Sequence, residues 1–313
     1  RIQGANRIET AIEASKDLYK TSAKAVVLAN CERYTDVLTA NPFAIQEEAS
    51  ILFTYKDKLP ESTLKEIERL GTKKVYISGG YSAVSKKIVD TLKSKGYDVV
   101  RFDGVDRYDT AKKIAKKMRE KGNTKVAELV SGENYPDAIS MTSMAVKDNA
   151  PILLTKKDSL PKYTKEALAE WDIETIKIAG LDKAVSKNVE KELKEGFKTV
   201  KDSKDKNKIY TGAKEIVRFG GSDRYETSKI IASKSFPESE KGVYVTGENF
   251  PDALVAGNYA GKNKAPIFLV KKDTLPQSVK NYTENSKIKN ITVVGGNMAV
   301  SEKVFDLLKE AIK

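Results

Sequence analysis

Ala150-Pro151-Ile152-Leu153-Leu154-Thr155-Lys156-Lys157-Asp158-Ser159-Leu160-Pro161 decides the fold, because close copies of it stand on either side. One is Ala49-Ser50-Ile51-Leu52-Phe53-Thr54-Tyr55-Lys56-Asp57-Lys58-Leu59-Pro60, and the other is Ala265-Pro266-Ile267-Phe268-Leu269-Val270-Lys271-Lys272-Asp273-Thr274-Leu275-Pro276. A run of three apolar residues bounded by Pro and by Lys-Asp reads as a short, fully buried strand. The lysines then leave its C-terminal end, where open α/β sheets hold their ligands.

Four further motifs repeat in register with it. The first is Arg1-Ile2-Gln3-Gly4-Ala5-Asn6-Arg7-Ile8-Glu9-Thr10-Ala11, matched at 101–111 and 218–228, so that Arg7, Arg107 and Arg224 lie 100 and 117 residues apart. The second runs from an apolar strand into Ser131-Gly132-Glu133-Asn134-Tyr135-Pro136-Asp137-Ala138. It is echoed at 246–253 and, without the Gly and the Pro, by Asn30-Cys31-Glu32-Arg33-Tyr34-Thr35-Asp36-Val37. The third is a glycine turn ahead of Ala-Val-Ser at 75–85, 176–186 and 292–301, and its second copy reads as carrying Ala179 in place of the first Gly. The fourth is the amphipathic helix after each serine, as in Ser85-Lys86-Lys87-Ile88-Val89-Asp90-Thr91-Leu92.

Each unit therefore alternates four short strands with four helices, which predicts a parallel sheet with helices on its faces. The expected fold is α/β, with three tandem, small, doubly wound domains of Rossmann-like or toprim-like type over residues 1–100, 101–217 and 218–313. A unit of about 100 residues is large enough to be expected to bury its own core, unlike solenoid repeats. Ser85 lies 19 residues before Gly104 but Ser186 lies 35 before Gly221, so the second repeat carries extra chain. The polar stretch from Thr199 to Thr211 is expected to be a surface loop or linker.

The net charge of +12 predicts attraction to an anionic partner. Only nine of the 56 basic residues are arginine, and no cluster of arginine forks and aromatic platforms occurs, so nucleic acid is not the expected partner. The chain has no histidine, which excludes His general bases, Ser-His-Asp and Cys-His arrangements and His-ligated zinc. Carboxylate or lysine chemistry stays open. No cofactor and no metal site are expected. Cys31 is alone and forms no internal disulfide. No apolar run approaches the ~18 residues of a membrane span, and no signal segment opens the chain at Arg1. Cytosolic and secreted readings both remain.

In Gly-x-(Asn/Asp)-Arg, the residues Asn6, Asp106 and Asp223 suit helix N-caps, with Arg7, Arg107 and Arg224 opening the helix. Arginine in a first turn opposes the helix dipole. These arginines are expected to face either an anionic ligand or a buried carboxylate. Asp36, Asp137 and Asp252 persist where Gly and Pro do not, and helix capping or pairing with the arginines accounts for them without catalysis. The glycine turn offers amides and a helix N-terminus to an anion, but it is neither a dinucleotide fingerprint nor a P-loop. Ser85, Ser186 and Ser301 are expected N-caps.

Taken together, these motifs resemble the type 2 cell-wall-binding repeat, which occurs as a tandem triplet in Gram-positive, notably clostridial, surface and S-layer-associated proteins. The resemblance covers essentially the whole chain, and repeats two and three match best. It implies three units packed as a pseudo-threefold trimer and a secreted, extracellular module. Such a module anchors its protein non-covalently to an anionic, teichoic-acid-like wall polysaccharide, with surface-layer proteins as further partners. The family's Ile-Leu-Leu motif maps onto Ile51-Leu52-Phe53, Ile152-Leu153-Leu154 and Ile267-Phe268-Leu269. The expected binders beside it are Arg7, Arg107 and Arg224, with Lys56, Lys157 and Lys272 behind the strand. The eroded segment from Asn30 to Asp36 sets the first site apart. The competing readings are a wall hydrolase of amidase type, with its catalytic domain outside these residues, and a nucleotide-binding α/β protein.

Overall fold

A computed structural model describes residues 1–199 and 208–312, and the middle of the stretch expected as a loop at Thr199–Thr211 lies outside the described residues. The first repeat contributes α1 (Arg7–Leu18), β1 (Ala25–Asn30), α2 (Tyr34–Gln46), β2 (Ala49–Thr54), α3 (Glu61–Arg69), β3 (Lys74–Ser78), α4 (Lys86–Ser94) and β4 (Asp98–Phe102). The second contributes α5 (Arg107–Arg119), β5 (Val126–Ser131), α6 (Pro136–Lys147), β6 (Ile152–Thr155), α7 (Lys162–Trp171), β7 (Thr175–Ala179), α8 (Lys187–Glu195), β8 (Phe197–Lys198), β9 (Ile209–Tyr210) and β10 (Glu215–Phe219). The third contributes α9 (Arg224–Ser235), β11 (Lys241–Thr246), α10 (Pro251–Asn263), β12 (Ile267–Val270), α11 (Gln277–Asn285), β13 (Asn290–Val294) and α12 (Glu302–Ala311).

Three parallel sheets result, ordered β2-β1-β3-β4, β6-β5-β7-β10 and β12-β11-β13. Each middle strand is buried almost throughout, as strands covered on both faces are, and is mostly apolar, with Glu128 the buried exception in the second sheet. The fourth position is filled by the chain just ahead of the next arginine motif. Asp98–Phe102, which crosses the expected boundary at 100/101, adds to the first sheet, and Glu215–Phe219 adds to the second. In the third sheet the place is taken by the start of the chain. Ile2 pairs in parallel with Val294, its N–H donating to Val293 O at 2.8 Å and its carbonyl accepting from Gly295 N at 2.8 Å. The array therefore closes on itself.

Helices α2, α6 and α10 explain why it closes. Every residue of α2 from Thr35 to Ala44 is buried, as is α6 from Ala138 to Ala145 and α10 from Ala253 to Gly261. A helix buried on all sides must be surrounded by protein, and these three lie against one another in every pairing. Their axial residues recur at i, i+4, i+7 and i+11, giving Tyr34/Leu38/Asn41/Ile45, Tyr135/Ile139/Thr142/Val146 and Phe250/Leu254/Gly257/Gly261. At the top, the Tyr34, Tyr135 and Phe250 rings meet with centroids 5.5–5.8 Å apart. Lower down, a Cβ on Gly257 would stand 2.6 Å from Asn41 Oδ1, and one on Gly261 would stand 3.0 Å from Val146 Cγ2 and 3.1 Å from Ile45 Cγ1. Around this centre α5 lies against β6 and α2, α9 against β12 and α6, and α1 against β2 and α10. The pseudo-threefold trimer is thus built from helices that cross between repeats.

Of the stretch expected as a surface loop or linker, residues 199 and 208–211 are described, and the chain on its two sides is joined. Phe197–Lys198 and Ile209–Tyr210 pair as an antiparallel ribbon. Tyr210 is 3% exposed within the second repeat's outer core, and its hydroxyl donates to Ile173 O at 2.6 Å. A single aromatic inside a polar run overrode the run's composition.

The axis supplies a test. Gly to Ala in an open helix gains ~1 kcal/mol, but at Gly257 the new methyl group meets a buried amide, and overpacking costs about 1–3 kcal/mol. Gly257→Ala is expected to lower stability in denaturant titrations and to raise it in an Asn41→Ala background. The same change in both backgrounds would contradict close packing of α2 on α10.

Candidate functional site

The arginine motif begins where each fourth strand ends. Asn6 Oδ1 accepts from the N–H groups of Ile8 and Glu9 at 2.9 and 3.1 Å, Asp106 Oδ1 from Asp109 at 2.9 Å, and Asp223 Oδ1 from Glu226 at 2.8 Å, so all three cap their helices as expected. The hydroxyls of Thr10, Thr110 and Thr227 accept from Gly4, Gly104 and Gly221 N–H at 3.2, 3.0 and 3.0 Å, holding the turn against the helix. Arg7, Arg107 and Arg224 each donate from Nη1 to a loop carbonyl of their own repeat, Cys31 O (3.4 Å), Gly132 O and Gly247 O, and none forms an ion pair among the described residues. Tyr34 Oη also donates to Gly132 O, at 3.0 Å, tying the first repeat to the second.

Each arginine acts electrostatically on a buried carboxyl of the preceding repeat, Arg107 on Asp36, Arg224 on Asp137 and, around the closed array, Arg7 on Asp252. Burial pushes Asp36 up to about 6, with Arg33 and Arg107 pulling the other way. Burial likewise raises Asp137 against Arg224 and Thr227, and Asp252 against Thr10 and Arg7. The first-turn Asp and the next repeat's Arg therefore face one cleft. Beside each Asp, the glycine turn adopts positive φ at Gly79 (108°), Gly180 (88°) and Gly295 (117°), where a Cβ would stand 2.5, 2.4 and 3.0 Å from the Oδ2 of Asp36, Asp137 and Asp252. Only glycine combines that φ with that approach. This corrects the alignment expected at Ala179. The second repeat keeps the first glycine as Gly180 and replaces the second with Leu181.

Three clefts follow, one at each junction between repeats. The first, of about 520 Å³, joins Arg33, Asp36 and Gly80 to Val105, Asp106 and Arg107. The second, of about 810 Å³, joins Asp137, Lys183 and Lys187 to Ser222, Asp223 and Arg224. The third, of about 760 Å³, joins Asp252, Lys272 and Met298 to Gln3, Asn6 and Arg7. None of these three clefts is made by one repeat alone.

The remaining expected residues fall differently. Ile51, Leu52, Phe53, Ile152, Leu153, Leu154, Ile267, Phe268 and Leu269 are all 0–2% exposed, so their side chains form core and present nothing to a ligand. They anchor the edge strands on which α1, α5 and α9 rest. Lys272 is half-buried and lines the third cleft, whereas Lys56 and Lys157 are exposed and stand outside the linings of the first two. The carbonyls of Lys56, Lys157 and Lys272 accept from Ser85, Ser186 and Ser301 N–H at 2.8, 2.9 and 2.9 Å. Those serines occupy N-cap positions, but their hydroxyls make no capping bond and are buried without a partner, contrary to expectation. Arg33, Lys183 and Lys187 were not among the expected binders. Their signal was proximity to the eroded second motif and to the glycine turn. Among the described residues no cluster of three or more potential ligands could hold a metal, and no helix is long and apolar enough to cross a membrane.

The model of the family "Cell wall binding domain 2" matches residues 1–89, 101–190 and 218–305. The chain is 31% identical over its whole length to the N-acetylmuramoyl-L-alanine amidase LytC of Bacillus subtilis, spanning 58% of that protein. It is 30% identical over 99% of its length to the amidase enhancer of the same organism, spanning 40% of it. Among solved structures it resembles Cwp6 and Cwp8 from Clostridium difficile, each with a TM-score of 0.86 and 29% identity. The matches cover 98% and 99% of the chain but only 47% and 51% of those proteins.

A carboxyl raised by burial makes its full contribution to stability only below its unfolded pKa, and that contribution is lost as pH rises from there through the folded pKa. For Asp36, between its ordinary value of 3.8 and about 6, the linked change is about 3 kcal/mol at most. Asp36→Asn is expected to be more stable than the parent by about 1–3 kcal/mol at pH 7.5, and the difference is expected to close toward about pH 3.5, in urea titrations. A difference that does not change with pH would contradict the buried placement of Asp36.

Proposed function

The chain belongs to the cell wall binding domain 2 family, and from that premise we propose that it is a non-covalent anchor, holding a surface protein to an anionic polysaccharide of a Gram-positive wall. The observation that carries the proposal is the threefold set of inter-repeat clefts, each facing an arginine that uses one Nη1 donor on a carbonyl and is free of ion pairs among the described residues. A guanidinium with donors to spare takes phosphate or carboxylate oxygens in a fork. The net charge of +12 draws the polymer in from a distance.

A repeating polyanion offers the same group many times, and three rigidly spaced sites engage it together. Linked weak sites gain about 10²- to 10⁴-fold in avidity when their geometry permits simultaneous contact. The ligand is proposed to be teichoic-acid-like, with surface-layer proteins as neighbours in the wall. The chain spans 58% and 40% of the two Bacillus relatives. We assign it the binding role alone, and the amidase activity in one relative's name to the part of such proteins that it does not match.

Two arginine substitutions leave a single intact site. Arg107→Gln with Arg224→Gln is expected to lower retention on Gram-positive walls by about tenfold or more, with an unchanged circular dichroism spectrum. Retention by the parent chain should fall as salt rises and vanish when the anionic polymer is extracted with acid. Binding that survives extraction, or solubilisation of peptidoglycan by this chain alone, would overturn the reading.

A further inference from the structure

We infer that Arg101, in the first repeat, is an additional oxyanion-binding site, taking a phosphate or carboxylate group through the Nε–Nη2 edge of its guanidinium. The threefold repetition provides the comparison. Arg1, Arg101 and Arg218 hold equivalent places at the end of the fourth strand of each sheet, one residue before Ile2, Phe102 and Phe219. Each donates Nη1 to the carbonyl of the positive-φ glycine: Gly295 at 3.1 Å, Gly79 at 2.8 Å and Gly180 at 2.9 Å.

The other edge of the fork is where they part. Arg218 presents Nε and Nη2 to Glu190 Oε2 at 3.0 and 2.6 Å, and Arg1 presents Nη2 to Glu302 Oε2 at 3.2 Å. The first repeat has Val89 where Glu190 stands and Lys86 where Glu302 stands, and Lys86 is itself paired with Asp90 at 2.7 Å. Arg101 Nε and Nη2 are left buried and without a hydrogen-bond partner among the described residues. Burial lowers the affinity of Arg101 for its proton, against the charges of Tyr81 and Asp103 and a side-chain interaction with Tyr81, none of which is a carboxylate fork of the kind Glu190 gives Arg218.

A buried cation with two unused donors is costly, and a bound oxyanion removes that cost. The Tyr81 ring lies over the guanidinium, 4.3 Å from Arg101 Cζ, and is 53% exposed, so this neighbour of the site can change rotamer without disturbing the core. The site adjoins Gly80, which lines the first cleft. A glycan held by Arg107 thus passes within reach, but the site stands on its own chemistry and not on wall binding.

The test is titration with inorganic phosphate at ionic strength held constant with chloride, following the arginine Nε–H resonances by NMR. The Arg101 signal is the one missing in Arg101→Gln. It should shift saturably in the parent chain. In Val89→Glu, which supplies the carboxylate that Glu190 gives Arg218, the affinity should fall at least tenfold. Glu190→Val should create a second phosphate-responsive arginine at Arg218, and it keeps the idea testable if Val89→Glu fails to fold. An unmoved Arg101 signal, or an equal shift in Val89→Glu, would overturn the assignment. Purified anionic wall polysaccharide that displaces phosphate would identify the glycan as the source of the oxyanion, and phosphate binding without displacement would identify the free ion.

Discussion

Helices α2, α6 and α10 have no side that tolerates water, and the rest of the structure follows from burying them. A single repeat leaves most of its central helix uncovered, because its sheet covers one side only. Three copies around an axis cover one another. The axial layers, an aromatic ring cluster at the top and Gly257 and Gly261 below, let the helices approach without voids. Pseudo-threefold symmetry is the packing solution for three helices of this kind, and the three sheets are hung around it.

Closure determines where ligands can meet the protein. The strand completing each sheet leads directly into the next repeat's first helix, so the N-terminus of that helix is delivered to the C-terminal edge of its neighbour's sheet. In an open α/β sheet that edge is where ligands bind. The first-turn aspartate of one repeat and the arginine of the next consequently share a cleft, and the turn at Gly79, Gly180 or Gly295 leaves room for the aspartate. The third cleft depends on Ile2 pairing with Val294, which brings Arg7 to Asp252 across nearly the whole length of the chain.

Much of this was legible in the sequence. Threefold recurrence located the strands, the capping residues Asn6, Asp106 and Asp223, and the paired appearance of Asp and Arg. It did not show that each pair is made between repeats, because recurrence within a linear sequence cannot distinguish a contact inside a unit from one to the next. The Ile-Leu-Leu runs were readable as buried strands, and that same burial keeps their side chains from a ligand. Ser85, Ser186 and Ser301 have the right residue type and position for a cap, but their hydroxyls make no capping bond, and what recurs instead is the serine N–H donating to the carbonyl of the lysine loop. Tyr210 was hidden by polar neighbours. Glu128 stands in a central strand where Val27 and Val243 serve the other sheets, wholly buried and raised well above its ordinary pKa by desolvation, a placement that no pattern announced.

The claim that binding takes place between the repeats is tested most directly by isothermal titration of the chain with a purified short fragment of the anionic wall polysaccharide. The account predicts about three equivalents bound, one for each cleft, with one equivalent lost when Arg7, Arg107 or Arg224 is replaced singly by glutamine. A single equivalent that none of the three substitutions removes would contradict it.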